Sequence, residues 1–209
     1  MHIHTSRYSG CSNIDPLKLM QRSKDVGLDG IALTEHGIRW SPENIEEMVH
    51  KSGVANLLVL PGQEVACYTK YGNFQGEFLV FGHSRSLGSS RSLEQILEIV
   101  HGEGGVVIAA HPYKKLKNAE GFYGAGDGIY GTSIDGLEIE HPSYDAEART
   151  LARKAALEMG IAGIGCSDAH DLQSVGLCRT VFLRPVQDVR SLCEEIRARR
   201  VEAKRNTLT

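Results

Sequence analysis

The chain has 209 residues, a net charge of −3, a pI of about 6.3 and only 6% aromatic residues. That length suits one domain, 1–209, with a substantial core, and the charge supplies no strong basic field for nucleic acid, although a local basic patch stays open. No apolar run approaches the roughly 20 residues that cross a bilayer, no signal peptide is expected ahead of the first motif, and five cysteines without a CxxC fit a reducing cytoplasm.

In chain order, Ile3 lies in a very short opening strand, and Thr5 to Asn13 is a polar loop. Asp15 and Pro16 read as N-cap and first residue of a helix that Gly27 ends. Gly30 to Thr34 is a buried strand running into Glu35-His36-Gly37, and Ser41-Pro42 starts a helix through about Lys51. Leu57 to Leu60 is a strand, and a short extended piece carries Gln63, Glu64 and Val65. Glu77 to Gly82 is a strand ending in His83, and Ser92 to Gly102 a helix. Gly105 to Ala110 is a continuous apolar strand ending in His111-Pro112, followed by a long loop from Tyr113 to Thr132. Asp135 to Glu140 is a strand ending in His141-Pro142, and Tyr144 to Met159 a long helix. Ile161 to Cys166 runs into Ser167-Asp168-Ala169-His170; Val181 to Leu183 is a last strand and Val186 to Arg199 a last helix.

Strands that are apolar throughout and alternate with helices indicate a parallel sheet covered by helices. About seven of them suit a closed or nearly closed β/α barrel better than an open sheet. The polar residues favour the barrel, because its strand C-termini converge on one face, whereas an open sheet gathers only the few beside its switch point.

His2 and His4, at i and i+2, share one face of a strand. On the pair alone, a frayed terminus or tag remnant is an equal reading. Yet of nine histidines, seven (His2, His4, His36, His83, His111, His141 and His170) stand at strand ends, and only His50 and His101 fall on helices. Any one could be a structural cap. Seven, with Glu64 and Asp168 in equivalent places, form the imidazole and carboxylate set of a Zn²⁺, Mn²⁺ or Fe²⁺ centre, and exceed the need of one ion. A cluster of two or three metal ions is expected.

The segments His2-Ile3-His4-Thr5, Thr34-Glu35-His36, Gly62-Gln63-Glu64, Ala110-His111-Pro112 and Gly165-Cys166-Ser167-Asp168-Ala169-His170 resemble, in order, the motifs of the PHP (polymerase and histidinol phosphatase) superfamily. Each motif alone is weak; the set is specific. The resemblance implies a distorted seven-stranded β/α barrel, a metal cluster at the strand C-termini, and phosphoester hydrolysis. Carried over, it implies one ion held by His2, His4, Glu64 and Asp168. Glu64 bridges to a second with His83 and His111, and His36 and His170 hold a third.

One departure stands out. Many members of that family place Asp or His a few residues after the HxH pair, whereas here the loop Ser6 to Asn13 has neither. Cys11 is either a thiolate ligand favouring Zn²⁺ or an ordinary thiol beside a weak third site. The first motif also begins at residue 2, so fraying there would weaken His2.

Phosphate esters are already anionic, so cations are expected near the metals: Arg7, Lys114 and Lys115 are candidates for substrate binding, or else solvated surface charges. His141 is a candidate for proton transfer or phosphate binding beside Asp168, as are His36 and His170 if no third ion binds. The expected substrate is a small-molecule phosphate ester or a nucleotide, with no membrane partner. The alternatives are an amidohydrolase-like enzyme, disfavoured because Glu64 and not a carboxylated lysine is the candidate bridge, and a noncatalytic or exonuclease-type PHP module. Nothing in the sequence sets the oligomeric state.

Overall fold

Asp15 accepts from the backbone N–H groups of Leu17 and Lys18 and starts helix α1 (Pro16–Asp25), a cap worth about 1 kcal/mol. These contacts come from a computed structural model, which describes residues 1–206. Strand β1 (Gly30–Leu33) follows, then α2 (Pro42–Ser52), capped by Ser41, and β2 (Leu58–Pro61), which pairs in parallel with β1. Next come β3 (Gln63–Tyr68), β4 (Phe74–Phe81), α3 (Leu93–Gly102), β5 (Val106–Ala109), β6 (Gly136–Glu140), α4 (Ala146–Met159) and β7 (Ala162–Gly165). The chain then forms β8 (Cys178–Phe182), α5 (Val189–Arg197) and β9 (Val201–Arg205).

The fold is mixed α/β, and its strands fall into three sheets among the described residues instead of one closed seven-stranded barrel. The largest has the order β3-β4-β5-β6-β7. Its β5-β6-β7 half is parallel, as expected, but β3-β4 and β4-β5 are antiparallel. The cause is the connection. Only the turn Thr69 to Asn73, with Gly72 at φ 81°, separates β3 from β4, and a parallel crossover needs about a dozen residues. β8 and β9 pair antiparallel and lie against β7, where Thr180 Oγ1 donates to the Gly165 carbonyl. β9 was not expected; its sequence VEAKR is mostly polar and exposed, so it carries no apolar signal.

β5 shows why its run is apolar on both faces. Val107 and Ala109 pack outward with Leu93, Ile96 and Val100 of α3 and the alanines of α4. Val106 and Ile108 turn inward to Ala32, Leu60, Leu79 and Ile164, with Leu192 and Ile196 of α5. Arg197 of α5 donates to the Gly105 carbonyl, so α5 covers the N-terminal end of β5.

The opening strand is a single bridge, Ile3 to Ala169. Ala169 N donates to His2 O, His4 N to Ala169 O, and Thr34 N to Ile3 O. Ile3 is thereby inserted between the segment after β7 and the end of β1, while Glu64 N donates to Glu35 O. These bonds bring the first motif, the end of β1 and the start of β3 to the same mouth as the C-terminal ends of β5, β6 and β7.

Candidate metal centre

The two imidazoles of the first motif face one another, with their Nε2 atoms 3.0 Å apart. Glu64 lies beneath them: its Oε1 is 3.1 Å from His2 Nε2 and 3.2 Å from His111 Nε2, and its Oε2 is 3.3 Å from His4 Nε2 and 3.0 Å from His36 Nδ1. Asp168 Oδ1 is 3.4 Å from His2 Nε2 and 3.6 Å from His4 Nε2. The rings of His36 and His170 stack on His4 at 4.3 and 4.5 Å between centroids. Ligand atoms converge within 4.8 Å in four overlapping groups: His2, His4 and Glu64; His2, His111 and Asp168; His36, Glu64 and Glu77; and His4, His36 and His170.

Two buried carboxylates behind this layer hold it in place. Glu138 accepts from His2 Nδ1 at 2.8 Å and from the His111 backbone N–H at 2.8 Å. Glu35 accepts from Thr5 N, Thr5 Oγ1, Ser9 Oγ and Trp40 Nε1, which fixes the loop after His4. The backbone at the centre is strained, with His111 at φ 29° and Asp168 at φ 46°. Non-glycine residues in that region cost about 1–3 kcal/mol and persist where the surroundings over-determine them.

This donor set fits divalent cations. His2 donates through Nδ1 to Glu138, which leaves its Nε2 turned toward His4, Glu64 and Asp168. Glu64 Oε1 is buried and has no hydrogen bond despite two imidazole nitrogens within reach. Imidazole nitrogens and carboxylate oxygens converging this closely are what a transition-metal ion satisfies, and histidine beside carboxylate is the set that Zn²⁺, Mn²⁺ and Fe²⁺ use.

The electrostatics agree. Burial opposes ionisation of Asp168, but His2, the hydrogen bond from His141 and His111 outweigh it and hold the carboxyl far below its usual range. Burial likewise opposes Glu138, which His2 holds down to about 2. The hydrogen bond to Glu64 raises His36 to about 9, and burial lowers His141.

Among the expected ligands, His2, His4, His36, Glu64, His111, Asp168 and His170 meet here. His2, next to the first residue, is fully buried. His83 does not join them. β4 runs antiparallel to β5, so its end lies at the opposite end of the sheet, where His83 Nδ1 faces Glu103 at 3.0 Å. Glu77, midway along the same strand, stands nearer, with Oε2 3.5 Å from His111 Nε2.

Of the three cations, Lys114 reaches the centre, its Nζ 3.1 Å from Asp168 Oδ2. Lys115 is drawn off by Asp145 and Glu147 on an exposed face. Arg7 lies over the rings of Tyr8 and Trp40 and donates to Asn44. Neither of the two is brought to the carboxylates. His141 is buried with Nε2 3.3 Å from Asp168 Oδ2 and Nδ1 2.7 Å from Ser143 Oγ. Cys11 is exposed at the rim, its Sγ 3.3 Å from His36 Nε2.

A mixed α/β fold with imidazoles and carboxylates gathered at one mouth defines a class of metal-centred proteins. Comparison with known proteins narrows it. Residues 146–201, which include Asp168 and His170, match the family model described as PHP-associated. An uncharacterized protein of Methanocaldococcus jannaschii is 28% identical over 149 residues, 66% of this chain and 78% of that protein. A two-domain protein of Bacteroides vulgatus containing a predicted PHP-like metal-dependent phosphoesterase aligns with a TM-score of 0.70 at 18% identity, over 98% of this chain and 63% of that one. The lesion-specific endonuclease EndoQ of Pyrococcus furiosus aligns with a TM-score of 0.60 at 18% identity, over 95% of this chain and 55% of that one. Over nearly its whole length the chain shares the fold of these two structures, and residues 146–201 match the PHP-associated family.

Proposed function

We propose that this chain is a metal-dependent phosphoesterase that hydrolyses a phosphomonoester of a small molecule or nucleotide. The observation that carries the reading is the convergence of His2, His4 and His111 on Glu64, with Asp168 beside His2 and His4 and the Lys114 ammonium beside Asp168 at the mouth.

His2, His4, Glu64 and Asp168 would hold one ion. Glu64 would bridge to a second with Glu77 and His111, and His36 and His170 would hold a third, two to three Zn²⁺, Mn²⁺ or Fe²⁺ ions in all. Ions bound there would neutralise phosphoryl oxygens and lower the pKa of a water to supply a hydroxide nucleophile. Lys114 is placed to pair with a nonbridging oxygen. His141, within reach of Asp168, would move the proton between the entering water and the leaving oxygen, as would His170 where no third ion binds. Glu138 and Glu35 orient ligands without touching substrate.

The likeness to an endonuclease supports a second reading, a phosphodiester in nucleic acid. The net charge of −3 and the neutralisation of Lys115 favour the smaller ester. Five free cysteines support a reducing compartment, and no described helix is long and apolar enough to cross a membrane.

A phosphate-release screen with Mn²⁺, Zn²⁺ and Fe²⁺ added separately tests the reading. The expected result is release from at least one monoester that chelation abolishes. Release indifferent to chelator, or cleavage of nucleic acid alone, would count against it.

A further inference from the structure

The loop after His111 folds back as a hairpin. Lys115 and Phe122 form an antiparallel bridge, Leu116 N donates to Gly121 O, and Tyr123 N donates to Lys114 O at 2.7 Å. Its base is seated on the metal-ligand segment. A Cβ at Gly124 would lie 2.5 Å from the His111 carbonyl oxygen and 2.7 Å from Pro112 Cα, so only glycine permits this approach, and Gly126 N donates to Pro112 O.

Extended backbone sends successive side chains to opposite sides. Phe122 turns inward, edge-on to Tyr113 with ring centroids 5.2 Å apart, and packs on the core. Tyr123 therefore turns toward the mouth, its ring centroid 5.8 Å from that of His111. Packing does not explain this ring, which is 48% exposed while its neighbour is drawn in. Lys114 connects it to the centre: the same Nζ lies 5.3 Å from the Tyr123 ring centroid and 3.1 Å from Asp168 Oδ2.

We infer that Tyr123 is a stacking platform for a planar ring on the substrate, so that the ester taken by this centre carries a nucleobase or an aryl group. The inference rests on the phosphoesterase reading. A phosphoryl group paired with Lys114 leaves the rest of the ester beside the exposed phenol ring, where a flat π-face gains contact that a bare sugar does not. One base on one aromatic ring is commonly worth tenfold or more in affinity. Lys114 over the ring favours the same substrate, because it neutralises the phosphate that the ring orients.

The test uses hydrolysis-resistant phosphonates and the metal-loaded protein, with dissociation constants read by calorimetry. One pair is the methylenephosphonate analogue of AMP against that of ribose 5-phosphate; the other is phenylphosphonate against methylphosphonate. In the wild type the ring-bearing member of at least one pair should bind about tenfold tighter. Tyr123→Ala should abolish that advantage and Tyr123→Phe should keep it. The pair that responds names the source, nucleotide or aryl ester. Equal binding within both pairs in the wild type overturns the platform, and so does an advantage that survives Tyr123→Ala. Loss in Tyr123→Phe as large as in Tyr123→Ala would assign the effect to the hydroxyl and also overturn it. If no phosphonate binds, the phosphoesterase reading itself has failed.

Discussion

Glu138 Oε1 lies 2.8 Å from Nδ1 of His2, a residue 136 positions away. The carboxylate fixes which nitrogen of His2 carries the proton and which faces the centre, and its second oxygen holds the His111 backbone. Partners of this kind typically contribute 10–100-fold, at order-of-magnitude level, to metal affinity. Glu138→Gln should weaken metal binding by roughly that factor, read by chelator competition, with the circular dichroism spectrum retained. Unchanged affinity would remove Glu138 from the support of the centre.

Glu77, midway along β4, and His83, just past its C-terminal end, separate two accounts of the second ion. Glu77→Gln should lower metal content by about one ion, whereas His83→Ala should leave it as in the wild type. Elemental analysis of the two purified variants decides. The reverse pattern would restore His83 and contradict the antiparallel placement of β4.

The outcome at that strand shows what the sequence could convey. The coincidence of strand ends with His, Glu and Asp was legible because apolar runs stop abruptly at polar side chains, and it picks out every candidate ligand brought together at the mouth apart from Glu77. Direction was not legible. A parallel β4 would carry His83 to the mouth, whereas the short turn between β3 and β4, with no helix in it, makes a hairpin. Glu138 left a signal too, since a carboxylate inside an otherwise apolar strand requires a buried partner. The partners of Lys115 and Arg7 left none, because Asp145, Glu147 and Trp40 reach them only through the fold.

Protons should compete with metal at His36. Its hydrogen bond to Glu64 raises it from 6.5 to about 9 in the metal-free chain. The stability this pairing adds to that chain is complete below 6.5 and is lost as pH rises through about 9. Metal must displace the proton, so apparent affinity should rise by about tenfold per pH unit for each proton released on the way up to that value. Calorimetry in buffers of different ionisation enthalpy would count the released protons. A pH-independent affinity with no proton release would exclude His36 from the ligand set.

Cys11 and His36 are 3.3 Å apart at the rim. If the thiolate completes the third site, alkylation of Cys11 should be slow in the metal-loaded protein and accelerate when a chelator is added, and Cys11→Ser should lose zinc. Equal alkylation rates in both states, with metal content unchanged in Cys11→Ser, would leave the third ion to His36 and His170.

The central claim is that Glu64 joins two ions, since its oxygens approach four imidazoles at 3.0 to 3.3 Å. The most direct measurement is metal content of the wild type and of Glu64→Gln, purified and reloaded side by side. The account predicts at least two ions per chain in the wild type and loss from two sites at once in the variant, with metal-dependent phosphate release lost too. Full occupancy in Glu64→Gln, or a wild type that takes up no more than one ion, would contradict it.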